Sequence, residues 1–390
     1  MRARLPSPPH LLLLLLLLLL MAAGRTSLGL RPGSMRRRGA AAFRLLATKR
    51  VVFLGTPDVA ATSLQLLSDA AAAKTHDFEL VAVVSQPPAP AGRNKKLTPS
   101  PVHVLADQLK LPLLTPETAK DEAFLSQLEA LQPDLCITAA YGNFLPKRFL
   151  SIPKLGTLNI HPSLLPKYRG AAPVQRCLES GDAVSGVSVA ETVLKMDAGP
   201  IVRQITVPLS GDEKAPDFLQ QMFKLGTSAL LEALPAYFAG TGPKQAQDDS
   251  QASAAPKLSV AEARVDFARM GAREVHNKCR AFAGWPGIWT ALSLGGAPAE
   301  RFKIVTTVLL APQPGSWAQG QTAAVELVKE GGGDVLRVVC GDGSVLGIAE
   351  LQPPSKKAMP AKAFVNGLRG ASIAWASPPE PEPAPAATTA

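Results

Sequence analysis

Four cysteines in 390 residues, none in a C-x-x-C pair, give no disulfide framework and no paired thiolate ligands for zinc. Cys136, Cys177, Cys279 and Cys340 are widely spread, and two sit in strand-like apolar runs, which favours a reducing compartment. The five histidines are scattered and offer no metal-ligand cluster. The first strand ends in Gly55-Thr56-Pro57 where a dinucleotide site needs G-x-G-x-x-G, so nicotinamide chemistry lacks its pyrophosphate turn. No G-x-x-x-x-G-K-[ST] occurs, which excludes a P-loop for ATP.

Acids are missing from the start of the chain. Residues 1–50 hold ten Arg or Lys and no Asp or Glu, and the other 31 bases balance the 31 acids. The formal charge of +10 therefore belongs to the leader. Arg2, Arg4, the leucine run 11–20 and the small residues 22–24 follow the plan of a secretory signal, with an apolar run too short to span a bilayer comfortably. Residues 25–50 are acid-free and rich in Arg, Ala and Leu, the composition of a mitochondrial transit peptide, and Met35 could start a shorter version.

In the body, 50–55, 78–85 and 135–140 read as buried strands separated by helices with 3.6-residue apolar spacing. This alternation predicts a mostly parallel, Rossmann-like α/β sheet whose ligands bind beyond the carboxyl ends of its strands. Residues 157–161 read as another short strand, so Asn159 and His161 project from the same side of its end. Pro162 and Pro166 then stop regular pairing. An amide can donate to an oxygen that gains negative charge, and an imidazole can move a proton. That suits chemistry at a carbonyl, although a lone N-x-H is more often a turn cap beside a satisfied ring.

Residues 85–106 form a Pro- and Gly-rich loop with Arg93, Lys95 and Lys96, either a solvated surface or a grip for phosphates. The strand 135–140 ends in an Ala-Tyr-Gly turn, where Gly142 allows a close approach. Residues 185–209 alternate in two segments around Asp197, a hairpin-like pair. An aspartate in such a D-x-G turn commonly bonds only its own backbone. Residues 215–239 are a core-packing helix, and 240–256 are polar and small, as at a domain junction. Beyond them a helix at 273–282 and short strands at 288–294, 302–310, 335–340 and 345–351 suggest a small barrel. Residues 244–375 carry a modest basic excess, with Arg280, Lys356, Lys357 and Lys362 as candidate phosphate contacts.

The stretch NIHPSLLPKYRGAAPVQ, 159–175, resembles the N-x-H-x-S-L-L-P-x-(Y/W)-R-G signature of formyltransferases that use 10-formyltetrahydrofolate. PAGRNKKLTPSPV, 90–102, is similar to the loop by which the methionyl-tRNA branch holds the acceptor end of its tRNA, and KLSVAEARVDF, 257–267, to the start of that branch's C-terminal domain. The resemblance implies Asn159, His161 and Asp197 as catalytic residues, the aspartate facing the histidine. It implies Ser163, Leu164, Leu165 and Pro166 on the folate side, and Arg93, supported by Lys95 and Lys96, on tRNA. The co-substrate would be 10-formyltetrahydrofolate, with no metal, and the acceptor an initiator-type Met-tRNA. The mature protein is expected to be a monomer without membrane attachment, serving translation initiation in the mitochondrial matrix, with secretion the alternative. The expected layout is a leader 1–49, removed or disordered, a catalytic domain 50–242, a linker 243–256, an OB-like tRNA-binding barrel 257–376 and a disordered tail 377–390. Pro200 departs from the family, which often has an acid there. Alternatives are a formyltransferase for a small amine (a sugar or a nucleotide precursor), a 10-formyltetrahydrofolate hydrolase, and a non-catalytic RNA-binding protein.

Overall fold

The computed structural model describes residues 48–92, 94–311, 325–330 and 332–376. The expected leader up to residue 47, Arg93 and the tail 377–390 lie outside the described residues. Before residue 210 the described chain forms nine strands. They are β1 (Lys49–Gly55), β2 (Phe78–Val84), β3 (Ala89–Ala91), β4 (Lys96–Thr98), β5 (Leu113–Leu114), β6 (Leu135–Ala139), β7 (Thr157–His161), β8 (Val184–Glu191) and β9 (Ile201–Pro208). Seven of them make one sheet in the order β5-β2-β1-β6-β7-β8-β9, parallel from β5 to β7 and antiparallel at β8 and β9. The remaining two, β3 and β4, pair as a small exposed hairpin inside the stretch read as an irregular loop.

The strand β1 shows why its sequence reads as an unbroken apolar run. Val51 and Phe53 enter one core and Val52 and Leu54 a second on the opposite face, all four fully buried. A parallel sheet covered on both sides needs apolar residues at every position. Helices α1 (Asp58–Ala72), α2 (Pro101–Gln108), α3 (Glu122–Ala130), α4 (Lys147–Leu150), α5 (Pro173–Ser180) and α6 (Ala215–Phe238) supply that cover. Ser100 caps α2 by accepting from His103 N, and Asp121 caps α3 by accepting from Phe124 N, each satisfying a free helix-end donor. The chain moves outward from β1 through β2 to β5, then returns to β6 on the other side of β1. A crevice opens at such a reversal, and Thr56 crosses it by donating to Tyr141 O at 2.9 Å.

The second sheet contains β10 (Ile288–Leu294), β11 (Glu300–Leu310), β12 (Glu326–Glu330), β13 (Gly333–Val339), β14 (Val345–Gln352), β15 (Met359–Pro360) and β16 (Ile373–Ala376). It runs β12-β13-β14-β11-β10-β16, every pairing antiparallel, with β15 on β14. The sheet curls until Val325 N, beside β12, donates to Ile373 O in the far edge strand at 3.3 Å. Helices α7 (Ala272–Ala281) and α8 (Ala361–Gly367) complete this part, with Phe302 edge-on to Phe364 and Phe267 edge-on to Trp375 inside the curl.

The two sheets share one continuous apolar core. Polar pairs also cross between them. Arg176 on α5 meets Glu262 and donates to Pro256 O, and His276 on α7 lies between Thr307 Oγ1 and Gly211 O at 3.0 and 3.1 Å. Arg280, expected on the surface as a phosphate contact, is only 3% exposed. Its guanidinium turns inward to Asn277 and Glu213, and burial holds it below the ordinary arginine value against the pull of Glu213. A cation enclosed in this way has no face to offer an RNA backbone. Cys136, Cys177, Cys279 and Cys340 are free and buried, and burial raises each thiol, Cys279 to about 11 and Cys340 to about 12. Among the described residues no helix is long and apolar enough to cross a membrane.

Candidate active site

Leu158 and Ile160 of β7 point into the main core, so Asn159 and His161 emerge on the other face of the strand. The carboxyl end of β7 lies next to that of β6, one strand beyond the crevice at β1. The chain then leaves the sheet at Pro162, loops through 162–170 and re-enters structure at α5.

Asn159 is fixed through its carbonyl. Thr138 on β6 donates to Asn159 Oδ1 at 2.8 Å, which turns the amide nitrogen the other way. Among the described residues nothing accepts from that nitrogen, so both its hydrogens remain for a ligand. Thr138 was not visible as a site residue in the sequence, because it stands 21 positions away and looks like an ordinary strand threonine. Thr138→Val keeps the volume and removes the hydroxyl. We expect kcat for the reaction proposed below to fall roughly 3- to 10-fold, the scale of one neutral hydrogen bond, with KM little changed in steady-state assays.

His161 is 4% exposed. Its Nε2 stands 2.9 Å from Tyr168 O, and a carbonyl can only accept, so Nε2 carries the proton in the neutral ring. The lone pair is left on Nδ1, which faces Asp197 Oδ2 at 3.8 Å. At that separation there is no hydrogen bond; the two become an ion pair only when Nδ1 takes up a proton, and catalytic contacts in an unliganded site commonly tighten on binding. Asp197 Oδ2 also accepts from Gly170 N at 2.8 Å. One short backbone stretch, 168–170, thus holds the histidine by its first residue and the aspartate by its last. Tyr168 is itself anchored by donating to Asp182 at 3.0 Å. Burial, with Asp182 adding to it, pushes that phenol up to about 12, so it stays a neutral donor.

The other expected residues separate. Ser163 is fully buried and donates to Lys167 O, while Leu165 is 4% exposed and packs with Ala190 and Ile201. Ser163 has no exposed surface and shapes the loop from beneath, whereas Leu165 keeps the same small exposure as His161. Leu164 and Pro166 are half-buried. Lys95 and Lys96 are exposed on the β3–β4 hairpin, and Arg93 is outside the described residues. Beyond the end of β6, Tyr141 Oη and Asn143 Nδ2 are buried without a hydrogen-bond partner. Burial raises the Tyr141 phenol, and the neighbouring Asn143 amide partly offsets this. The two polar groups lie close enough to influence each other and meet no third group among the described residues, which suits a polar heterocycle that brings its own donors and acceptors. Among the described residues no group of three or more His, Cys, Asp or Glu is placed to share a metal ion.

Comparison with known proteins adds independent information. The formyl transferase family profile matches residues 49–234, and that of the formyl transferase C-terminal domain matches 257–369. A methionyl-tRNA formyltransferase of Herpetosiphon aurantiacus is 40% identical over 322 residues, 82% of this chain and 98% of that protein. One from Stutzerimonas stutzeri is 41% identical over 308 residues, 79% of this chain and 91% of its own length. Among solved structures, an N-formyltransferase from Helicobacter canadensis in complex with folinic acid and dTDP-3-aminofucose superposes with a TM-score of 0.55 at 17% identity, covering 77% of this chain and 98% of that one. At that identity the likeness speaks for the shared fold alone.

Proposed function

The chain belongs to the methionyl-tRNA formyltransferase family, and on that premise we propose that it moves the formyl group of 10-formyltetrahydrofolate to the amino group of an initiator-type methionyl-tRNA. The observation that carries this reading is the His161 ring, tied through Nε2 to Tyr168 O with bare Nδ1 turned to Asp197 beside a free Asn159 amide. The folate supplies the formyl carbon. Tyr141 Oη and Asn143 Nδ2, in the turn after β6, would hold its ring.

Asn159 Nδ2 donates to the formyl oxygen as negative charge builds there; removing one such donor typically costs about 10²–10³ in rate. His161 Nδ1 accepts the proton of the attacking amine and returns it to the departing nitrogen. Asp197 faces the ring nitrogen that becomes charged, and the nearly complete burial of His161 makes that attraction stronger than it would be in water. Lys95 and Lys96 on the hairpin, and the exposed Lys356 and Lys357 near β14, are available for phosphates of the acceptor stem. Parallel assays with methionyl-tRNA, a small amine and no acceptor test the reading. Equal use of tRNA and small amine would return it to the small-amine alternative, and formate release without an acceptor to the hydrolase.

The mitochondrial matrix is our reading of where this happens, supported by the acid-free, arginine-rich composition of 1–50 and by the family match beginning only at residue 49. Residues 1–50 fused to a fluorescent protein should carry it into the matrix and be cleaved. Delivery to the secretory pathway would overturn the assignment.

A further inference from the structure

The polar stretch between the two family-matched parts lies across the site loops. Gln245 exchanges two backbone bonds with Ile201 at 2.8 and 2.9 Å. Further on, Arg169 N donates to Ser253 O at 2.8 Å, Ala255 N to Arg169 O at 2.7 Å, and Tyr168 N to Ser253 Oγ at 2.9 Å. Between these anchors stands Gln247. Its Nε2 donates to Asp197 O at 2.8 Å and to Gly199 O at 2.7 Å, while its Oε1 accepts from Arg169 Nε and Nη2 at 3.1 and 2.7 Å. Two residues later Asp249 takes Arg169 Nη1 at 2.8 Å and pairs with Lys195.

From this ring of contacts we propose that Gln247 is a positioning residue for Asp197 in formyl transfer. The proposal rests on the functional reading above. Asp197 has φ +49 and Tyr168 φ +62, in the left-handed region that non-glycine residues occupy only when their surroundings hold them there. Gln247 grips the Asp197 turn by two carbonyls and, through Arg169, the stretch 168–170 whose ends hold the histidine and the aspartate. Only an amide can do both, since it offers two donors and an acceptor with two lone pairs, and here all four sites are used. A carboxylate at this position keeps the arginine and loses both donors to the turn. A lysine could donate but has nothing with which to accept.

The test uses Gln247→Glu in the full chain, assayed with 10-formyltetrahydrofolate and methionyl-tRNA. We expect kcat to fall roughly 10- to 100-fold, the penalty of a catalytic group misplaced by about an ångström, with KM for both substrates within twofold. Gln247→Ala should move kcat in the same direction, and Gln251→Ala, exposed on the same stretch, should leave it within twofold. In an Asp197→Asn background, adding Gln247→Glu should cost less than a further twofold, because a residue acting through Asp197 has nothing left to position. Wild-type kcat in Gln247→Glu overturns the proposal. A loss confined to KM, or one that multiplies in full with Asp197→Asn, also overturns it. So does failure of both Gln247 variants to fold, which would make the role structural. If the wild-type chain transfers no formyl group to methionyl-tRNA, it is the functional reading that fails. The positioning is then read by hydrogen exchange at the amides of 197–199, which Gln247→Glu should speed at least tenfold and which unchanged rates would refute.

Discussion

Replacing His161 by alanine should lower kcat for formyl transfer to methionyl-tRNA about 10²- to 10⁴-fold, the range of a lost general acid–base group. The ring has one protein-bound nitrogen and one facing Asp197, so its removal takes away the proton acceptor and the partner of the aspartate together. Alanine also strands Tyr168 O, a half-buried carbonyl, at a stability cost of about 1–3 kcal/mol. His161→Gln separates the two effects. Its amide can still donate to Tyr168 O and cannot act as a base at neutral pH. We expect a thermal midpoint close to wild type and a kcat as low as that of the alanine variant. Activity of His161→Gln within threefold of wild type would remove the histidine from the chemistry. The Asn159→Ala and Asp197→Asn losses should combine with it far less than multiplicatively, because the three side chains act as one unit.

Gly199→Ala is expected to be almost as damaging without touching a reacting group. A Cβ at this position would stand 1.8 Å from Glu191 O and 2.7 Å from Glu191 C. Both are backbone atoms, and the same residue donates from its N to Pro200 O at 2.9 Å, so the carbonyl cannot simply swing aside. The turn must move by more than an ångström to reach ordinary contact, and it carries Asp197 with it. Displacement of that size costs roughly 10²-fold in rate. Expected results are a kcat at least 10²-fold below wild type and a stability loss of about 2 kcal/mol in denaturant unfolding, within the range of strained backbone substitutions. A fully active Gly199→Ala chain would mean that the Asp197 turn need not be held where it is found. The glycine of the D-x-G turn is thus explained by the absence of room for any side chain.

Local pattern revealed the sheet because it is built from local runs. The strands at 51–54, 80–84 and 135–139 are apolar on both faces, and β7 alternates so cleanly that Asn159 and His161 could be placed on one side of its end. The aspartate was found only through resemblance, since nothing in its own turn points across 36 residues to the histidine. The partners that fix the site left no periodic signal. Thr138 is one buried strand threonine, the supports at 168 and 170 are backbone atoms, and Gln247 sits in a run whose composition suggests only solvation. Arg280 misled for a related reason. Charge counting sees a cation, whereas the fold encloses it between the two sheets, where Asn277 and Glu213 meet it. The β3–β4 hairpin was hidden by its prolines, which an exposed two-stranded ribbon can accommodate on its unpaired side.

The most direct measurement is single-turnover transfer of a labelled formyl group from 10-formyltetrahydrofolate by the full chain, with methionyl-tRNA, an amino sugar and no acceptor presented in parallel. The expected result is label on methionyl-tRNA at least 10²-fold faster than on the amino sugar, little formate without an acceptor, and loss of the transfer in His161→Gln. Equal labelling of both amines, or formate released at the same rate whether or not tRNA is present, would contradict the account.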